Sequence, residues 1–177
     1  SYSQLAKKDK MPLTTSSKAA LATYNEAFRY FEDVDLEKGV ELLKKSLTED
    51  PDFFMANYNL ALWYMGNDEK FKSYGNAAVN CKAKLSEAEK LIKGTLVTLL
   101  EKKDADVTDV GKKLVAMYPK DISVYYILLN YQDIAGDVNG YHETLLKALE
   151  NTPNPAPVYN MLGYSFMRLN QNDKAEE

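Results

Sequence analysis

Apolar residues recur along most of this chain at the three- and four-residue spacing of an amphipathic helix. The stretch after Asp35 is typical, with an apolar stripe made of Leu36, Val40, Leu43 and Leu47. Such a stripe lies on one face of a helix and packs against a neighbouring element. No segment alternates apolar and polar residues as a half-buried strand would. The pattern therefore predicts an all-α protein.

Short polar sequences separate the predicted helices. Ser86 and Glu89 have the spacing of a capping box, in which each side chain accepts a hydrogen bond from the backbone N–H of the other residue. They begin a long helix that we expect to end near Lys103. Gly66-Asn67-Asp68 and Gly136-Asp137 have the composition of interhelical turns, where a residue that tolerates positive φ is expected.

The predicted helices repeat with a fixed period. Pro51, Pro119 and Pro153 are 68 and 34 residues apart, and windows of 34 residues in that phase tile the chain without an insertion. Each proline follows the second helix of a predicted pair, where its missing N–H is not needed by the finished helix. The windows begin at Ala20, Phe54, Ala88, Ile122 and Ala156.

Two positions of the window have a recurring residue type. Position 11 is aromatic at Tyr30, Tyr64 and Phe166. Position 20, at the start of the second helix, is small at Gly39, Ser73 and Ala175. The third window departs from this pattern, with Thr98 and Val107 at the two positions. In the fourth window Tyr141 occupies the small position, so we expect a wider crossing of the two helices there.

The last window has the most specific residue pattern. Its stretch 156–175, APVYNMLGYSFMRLNQNDKA, places five residues at fixed offsets, namely Tyr159, Leu162, Gly163, Phe166 and Ala175. Together with the 34-residue period, this pattern resembles the tetratricopeptide repeat family. The resemblance implies a right-handed superhelix (an α-solenoid) of about five antiparallel hairpins, the last one incomplete. The predicted organisation is an N-terminal arm, 1–19, followed by repeats 20–53, 54–87, 88–121, 122–155 and 156–177.

The resemblance also implies a binding surface, because the first helices of such repeats line a concave groove. Window positions 2, 5, 9 and 12 face that groove, and Glu89 holds the first of them in the third repeat. The candidate partner-binding residues are Tyr24, Phe28, Phe31, Met55, Tyr58, Leu62, Met65, Tyr126, Asn130, Asn160, Tyr164 and Met167. Aromatic rings and thioethers suit an apolar, irregular ligand. The alternative is that many of these side chains only pack between hairpins.

Some members of the family clamp a terminal carboxylate with Lys, Asn and Arg on these helices. The corresponding faces here carry Tyr, Phe, Met and Leu, so a carboxylate-clamp co-chaperone is disfavoured. The chain of 177 residues has a net charge of -4, and Arg29 and Arg168 are its only arginines. A nucleic-acid partner is therefore not expected. No apolar run reaches the roughly 18 residues of a membrane span.

Catalytic and metal-binding chemistry has few candidate residues. His142 is the only histidine, and we expect it to be an ordinary helix residue. Cys81 is the only cysteine, and we expect a half-buried thiol on the second helix of the second repeat. The run from Asp104 has Asp109 and Val115 where a calcium loop needs Gly and Glu. We therefore expect neither an enzyme nor a protein with a metal or another cofactor.

The function that these observations favour is a non-enzymatic scaffold that binds a peptide or protein segment in an aromatic and Met-rich groove. The alternative is an accessory repeat domain of a longer envelope protein whose activity or anchor lies outside this chain. The stretch YNMLGYSFM resembles repeat proteins of Bacteroidetes-type bacterial envelopes, which implies export, with the cytoplasm as the alternative compartment. Because the fifth repeat stops at Glu177, we expect the native chain to continue, and self-association through this repeat is a further expectation.

Overall fold

The computed structural model describes the backbone of residues 9–176 and the side chains of residues 9–170. This part of the chain is all-α, as predicted, and contains no strand. Residues 1–8 of the predicted arm and the side chain of Ala175 lie outside the described residues. The helices are α1 Lys18–Glu32, α2 Leu36–Glu49, α3 Phe54–Trp63, α4 Asp68–Val79, α5 Glu87–Glu101, α6 Thr108–Met117, α7 Ile122–Ala135, α8 Val138–Leu149 and α9 Ala156–Glu176.

The chain divides into two compact units. The N-terminal unit is Pro12–Lys103 and contains α1 to α5. The C-terminal unit contains α6 to α9, in Asp104–Glu177, together with residues 9–11. The boundary falls within the third predicted repeat, 88–121, and the sequence period gives no sign of it.

Helices pack in the order of the chain within each unit. In the N-terminal unit α1 packs on α2 and α3 on α4, and in the C-terminal unit α8 packs on both α7 and α9. Turns of two to four residues join α1 to α2, α3 to α4 and α7 to α8, and connections this short make the paired helices antiparallel. Helices α3, α7 and α9 begin at the first residues of the windows from Phe54, Ile122 and Ala156.

The core of the N-terminal unit is built around α3. Its sequence, FMANYNLALW, is apolar on nearly every side, as in helices of protein cores, and seven of its ten residues are buried. Phe54 and Tyr58 are fully buried, as is Phe71 of α4. Asn57 is also buried, and its side-chain amide donates to the carbonyl of Pro51 at 3.0 Å, so that this polar group is satisfied inside the core.

The expected small residue at window position 20 is confirmed in the first repeat. A Cβ atom on Gly39 would lie 2.5 Å from Cε1 of Phe31, so α1 and α2 approach too closely for a side chain there. In the fourth repeat Tyr141 is half-buried, and the guanidinium of Arg168 lies 5.5 Å from the centroid of its ring.

The expectation for position 20 is wrong in the second repeat, whereas the third repeat departs from the pattern at Val107 as predicted. Ser73 is exposed, and Val107 precedes α6 as its N-cap. Their close contacts lie at glycines two and four positions further on. A Cβ on Gly75 would lie 2.8 Å from Cδ2 of Leu100, and one on Gly111 would lie 2.8 Å from Cδ1 of Leu128.

The predicted helix ends are mostly confirmed. Ser86 and Glu89 form the capping box that begins α5, which ends at Glu101. Gly136 ends α7 in the left-handed conformation with φ of 70°. The turn predicted at Gly66-Asn67-Asp68 is confirmed between α3 and α4, but Gly66 does not have a positive φ. Asn67 begins α4 there by accepting from the backbone N–H of Lys70.

Candidate functional site

The predicted groove residues of α1 form a row of aromatic contacts with two residues from α3 and its N-cap. The ring of Tyr24 lies 4.8 Å from that of Phe28 and 4.9 Å from that of Phe53, centroid to centroid. Phe28 packs edge-on against Phe31 at 5.6 Å, and Phe31 lies 6.3 Å from Trp63. We call Phe28, Phe31 and Trp63 the aromatic row, because these three are partly exposed while Tyr24 and Phe53 are buried beneath them.

Three predicted groove residues of the N-terminal unit lie in its core. Tyr24, Met55 and Tyr58 have relative exposures of 5%, 2% and 0%. The hydroxyl of Tyr24 accepts from the side-chain amide of Asn59 at 3.0 Å. Packing between helices, the alternative given by the sequence, accounts for these three residues. They support the aromatic row from below and present almost no surface to a partner.

Leu62 and Met65 are half-buried near the end of α3. The ammonium of Lys103 donates to the carbonyl of Met65 at 3.1 Å and also pairs with the carboxylate of Asp68. That hydrogen bond and the positive charge of Lys103 lower the pKa of Asp68. Lys103, which follows α5, therefore links the turn between α3 and α4 to a distant part of the sequence through Met65 and Asp68.

The predicted groove residues of the C-terminal unit are more exposed. Tyr126 is half-buried on α7, whereas Asn130 is exposed one turn further on. On α9, Asn160 is exposed as well, and the side chains of Tyr164 and Met167 have relative exposures of 67% and 53%. The side chains of Asn160, Tyr164 and Met167 on α9 are therefore accessible to a partner.

Residues 12–17 of the predicted arm pack on the N-terminal unit and have no regular secondary structure. From here on, the arm means this segment. Thr14 binds the carboxylate of Glu89 twice: its backbone N–H donates to Oε1 at 2.7 Å and its hydroxyl to Oε2 at 2.5 Å. The N–H of Ser86 is a third donor, at 2.9 Å. Glu89 is fully buried in the first turn of α5, where the helix dipole also favours a negative charge.

A second carboxylate binds the next two residues of the arm. Asp50 follows α2 and is almost buried, with 9% exposure. Its Oδ2 atom accepts from the hydroxyl of Thr15 and from the backbone N–H of Ser16, the latter at 3.2 Å. Four arm donors on three consecutive residues thus meet two buried carboxylates. The sequence placed Glu89 at a groove position of the third repeat but did not reveal that its carboxylate would bind the arm.

Cys81 has the environment of an unreactive thiol. It is half-buried, as predicted, but it lies in the segment after α4, which ends at Val79, rather than on the helix. Burial is the main cause that raises the pKa of the Cys81 thiol, and the nearby ammonium of Lys93 only partly opposes it. A raised pKa leaves less thiolate at neutral pH, and the thiolate is the nucleophilic form.

The other candidates for chemistry have structural contacts. His142 lies on α8, where its Nδ1 atom is 3.0 Å from the buried hydroxyl of Ser165 and its ring packs edge-on against Phe166. Asp106 accepts from the backbone N–H and the hydroxyl of Thr108, and these bonds lower the pKa of Asp106. Within the part of the chain that the structure describes, no His, Cys, Asp and Glu residues are grouped as a metal would require. None of the described helices is long and apolar enough to span a bilayer.

Comparison with known proteins does not assign this chain to a family. No protein-family model matches it, and no curated protein matches it either. Its function is therefore inferred from the residues and contacts of the molecule itself.

Proposed function

We propose that this protein is a non-enzymatic interaction scaffold of the tetratricopeptide repeat type, which binds a peptide or protein segment of a partner. The 34-residue period, the antiparallel helix pairs and the helix starts at Phe54, Ile122 and Ala156 support this assignment. The same period favours the right-handed superhelical stacking of that family. Solenoids of this kind bind their partners on extended surfaces that successive repeats build together.

The docked arm is the observation that carries the proposal. Residues Thr14, Thr15 and Ser16 are an irregular stretch of polypeptide held on the helices of the N-terminal unit by Asp50 and Glu89. An ionised carboxylate accepts hydrogen bonds and cannot donate them, so Asp50 and Glu89 select donors such as backbone N–H and hydroxyl groups. A surface that binds one polypeptide segment in this way has the chemistry to bind another.

The aromatic row supplies the apolar part of the proposed surface. Phe28 and Phe31 are half-buried and Trp63 is 45% exposed, so part of each side chain is available to a partner. Partly buried aromatic side chains are common anchors in protein interfaces because their conformations are already restricted. We propose that Phe31 and Trp63 contact the partner directly, with Leu62 and Met65 as adaptable neighbours.

A catalytic role is not part of the proposal. The pKa of the Cys81 thiol is raised by burial and His142 contacts Ser165, so we give neither side chain a catalytic role. The exposed α9 residues Tyr164 and Met167 offer a second surface for a partner, which includes another copy of this chain.

Capture of partners by matched variants tests the proposal. The full chain, tagged at its C-terminus to leave the arm unaltered, is used to recover proteins from cells of the source organism for mass spectrometry. The double variant Phe31→Ala/Trp63→Ala is expected to lose at least most of the captured partner. The control Val97→Ala, a partly exposed apolar residue of α5, is expected to retain it. Equal recovery by both variants, with unchanged circular dichroism, would contradict the proposed surface.

A further inference from the structure

The two carboxylates that hold the arm are each oriented by a neighbouring backbone group. Oε2 of Glu89 accepts from the N–H of Ser86 at 2.9 Å, as part of the capping box of α5. Oδ1 of Asp50 accepts from the N–H of Asp52 at 3.1 Å, in the turn after α2. Both bonds join residues no more than three positions apart in the chain, so they do not depend on the arm.

The other oxygen of each carboxylate accepts from the arm. Oε1 of Glu89 binds the N–H of Thr14 at 2.7 Å. Oδ2 of Asp50 binds the hydroxyl of Thr15 and the N–H of Ser16. Acceptors that are already oriented favour binding, because a ligand does not have to order them when it arrives. The arm is thus the ligand of a site that α2, α5 and their turns build without it.

The four donors of the arm define which sequences fit this site. Thr14 contributes both its N–H and its hydroxyl, and Thr15 contributes its hydroxyl. Ser16 contributes its N–H while its side chain is exposed, so any residue except proline fits there. The site therefore selects two consecutive Thr or Ser residues followed by a residue other than proline.

The positions of the two carboxylates indicate the shape and charge of a ligand. Thr14 binds Glu89 and the adjacent Thr15 binds Asp50, and an extended chain presents successive side chains to opposite sides in this way. An acidic or phosphorylated segment is excluded, because its oxygens bring no donor to the carboxylates and add like charge. The fitting ligand is therefore an extended, non-acidic polypeptide segment.

We propose that the arm is an internal inhibitor, which occupies a binding site for an extended partner segment with two consecutive Thr or Ser residues until that segment displaces it. This role rests on the function proposed above, since it names the kind of segment that the scaffold binds. The arm has an advantage in the competition, because a segment joined to its site acts at an effective concentration of about millimolar. A dilute partner therefore displaces the arm only with further contacts, which the aromatic row is available to make.

The test is an NMR titration of the full ¹⁵N-labelled chain that carries Thr14→Val/Thr15→Val. This arm variant loses both hydroxyls and keeps the shape of the two side chains. The probe is acetyl-Pro-Leu-Thr-Thr-Ser-Ser-amide, the sequence of the arm. We expect saturable shifts at the N–H groups of Ser86 and Asp52, which donate to the two carboxylates. The wild type should bind the probe at least about tenfold more weakly, because its intact arm competes.

Matched probes and variants test the chemistry of the site. A probe with both threonines replaced by valine, or with the first serine replaced by proline, lacks donors that the carboxylates need. We expect either change to weaken binding about five- to tenfold. Adding Glu89→Gln to the arm variant should have a similar effect. Ser73→Ala changes an exposed residue of α4 in the wild type and should leave the competition unchanged.

A second measurement needs no variant. About 10 mM probe exceeds the effective concentration of the arm, so hydrogen exchange at the N–H of Thr14 in the wild type should become faster. Absence of saturable shifts in the arm variant, equal binding by the wild type and the arm variant, equal binding of the valine probe, or unchanged exchange at Thr14 would overturn the proposal. Partner capture through the aromatic row is measured separately, so it can persist when the probe fails to bind and can fail when the probe binds.

Discussion

Val34 and Gly136 occupy the same position of the repeat, three periods of 34 residues apart, and both have left-handed backbones, with φ of 63° and 70°. Each follows the first helix of a pair, and the hydrogen bonds around the two turns match. The N–H of Asp35 donates to the carbonyl of Tyr30, and that of Asp137 donates to the carbonyl of Gln132. This is the Schellman pattern of helix termination, in which glycine is the preferred left-handed residue.

A β-branched residue is strained at such a position, so we expect Val34→Gly to stabilise the protein. The left-handed conformation costs an L-residue about 1–2 kcal/mol, and Val34 is exposed and loses little packing when truncated. Part of this gain is offset because glycine has more freedom in the unfolded chain. We predict a net increase of about 0.5–1 kcal/mol in the free energy of unfolding, measured by urea denaturation.

The reverse change at the equivalent turn serves as the control. Gly136→Val is expected to lower the free energy of unfolding by about 1–2 kcal/mol. A Cβ on Gly136 meets no atom within 4 Å, so a clash at Cβ does not contribute to the loss. If both variants moved stability in the same direction, the shared left-handed turn would not be the cause.

A second prediction compares two helical glycines of the N-terminal unit. Gly94 lies on α5, and a methyl group added there would meet no atom within 4 Å. Gly94→Ala should therefore raise the free energy of unfolding by about 0.5–1 kcal/mol through helix propensity. At Gly39 the same methyl group would overlap the ring of Phe31, which is held between Phe28 and Trp63.

Gly39→Ala should therefore show none of that gain. We expect its free energy of unfolding to be at least about 1 kcal/mol below that of Gly94→Ala, because a forced shift of a packed side chain typically costs about 1–3 kcal/mol. Thermal or urea unfolding of the two variants measures the difference. Equal stabilisation by both would mean that the ring of Phe31 moves away at no cost.

The third prediction concerns the docked arm. Glu89→Gln keeps the shape of the side chain but replaces one acceptor oxygen with an NH2 donor, so the backbone N–H of either Thr14 or Ser86 loses its acceptor. Hydrogen bonds to charged groups contribute about 1.5–3 kcal/mol each, so we expect a loss of stability of this order. Hydrogen exchange at the backbone N–H of Thr14, which donates to Glu89 in the wild type, should become faster.

Substitutions in the arm itself provide a matched pair for this experiment. Thr14→Val removes the hydroxyl that binds Glu89 and should reproduce part of the loss. Ser16 is exposed and binds Asp50 through its backbone N–H, so Ser16→Ala should leave stability and exchange nearly unchanged. Slow exchange at Thr14 in all three variants would show that Glu89 does not hold the arm.

The fourth prediction follows from the raised pKa of Cys81. The folded state favours the protonated thiol, so its contribution to stability is fully present below the pKa of the unfolded chain. That contribution is lost as the pH rises through the folded pKa. At pH 8 the native thiol should react with Ellman's reagent more slowly than the same thiol in urea. Faster reaction of the native protein would indicate an activated cysteine and would contradict the raised pKa of the Cys81 thiol.

Helix termini could be predicted from the sequence because their signals are local. The capping box at Ser86 and the left-handed glycine at Gly136 each depend on a few neighbouring residues. The contact between Thr14 and Glu89 joins residues 75 positions apart, and no local pattern encodes it. For the same reason the register placed Met55 and Tyr58 on a groove face, although it could not indicate which neighbours would cover them.

Docking of the arm also determines the order in which this unit can be completed during synthesis. The arm is synthesised before the helices that bind it, and Glu89 is made 75 residues after Thr14. At a synthesis rate of about 5–20 residues per second, several seconds pass between the synthesis of Thr14 and that of its acceptor Glu89. Helices α1 to α4 can pair locally during that interval, and closing the long loop to Glu89 comes last. In a nascent chain the hydroxyl and N–H groups of Thr14, Thr15 and Ser16 are therefore accessible until α5 has been made and the arm docks.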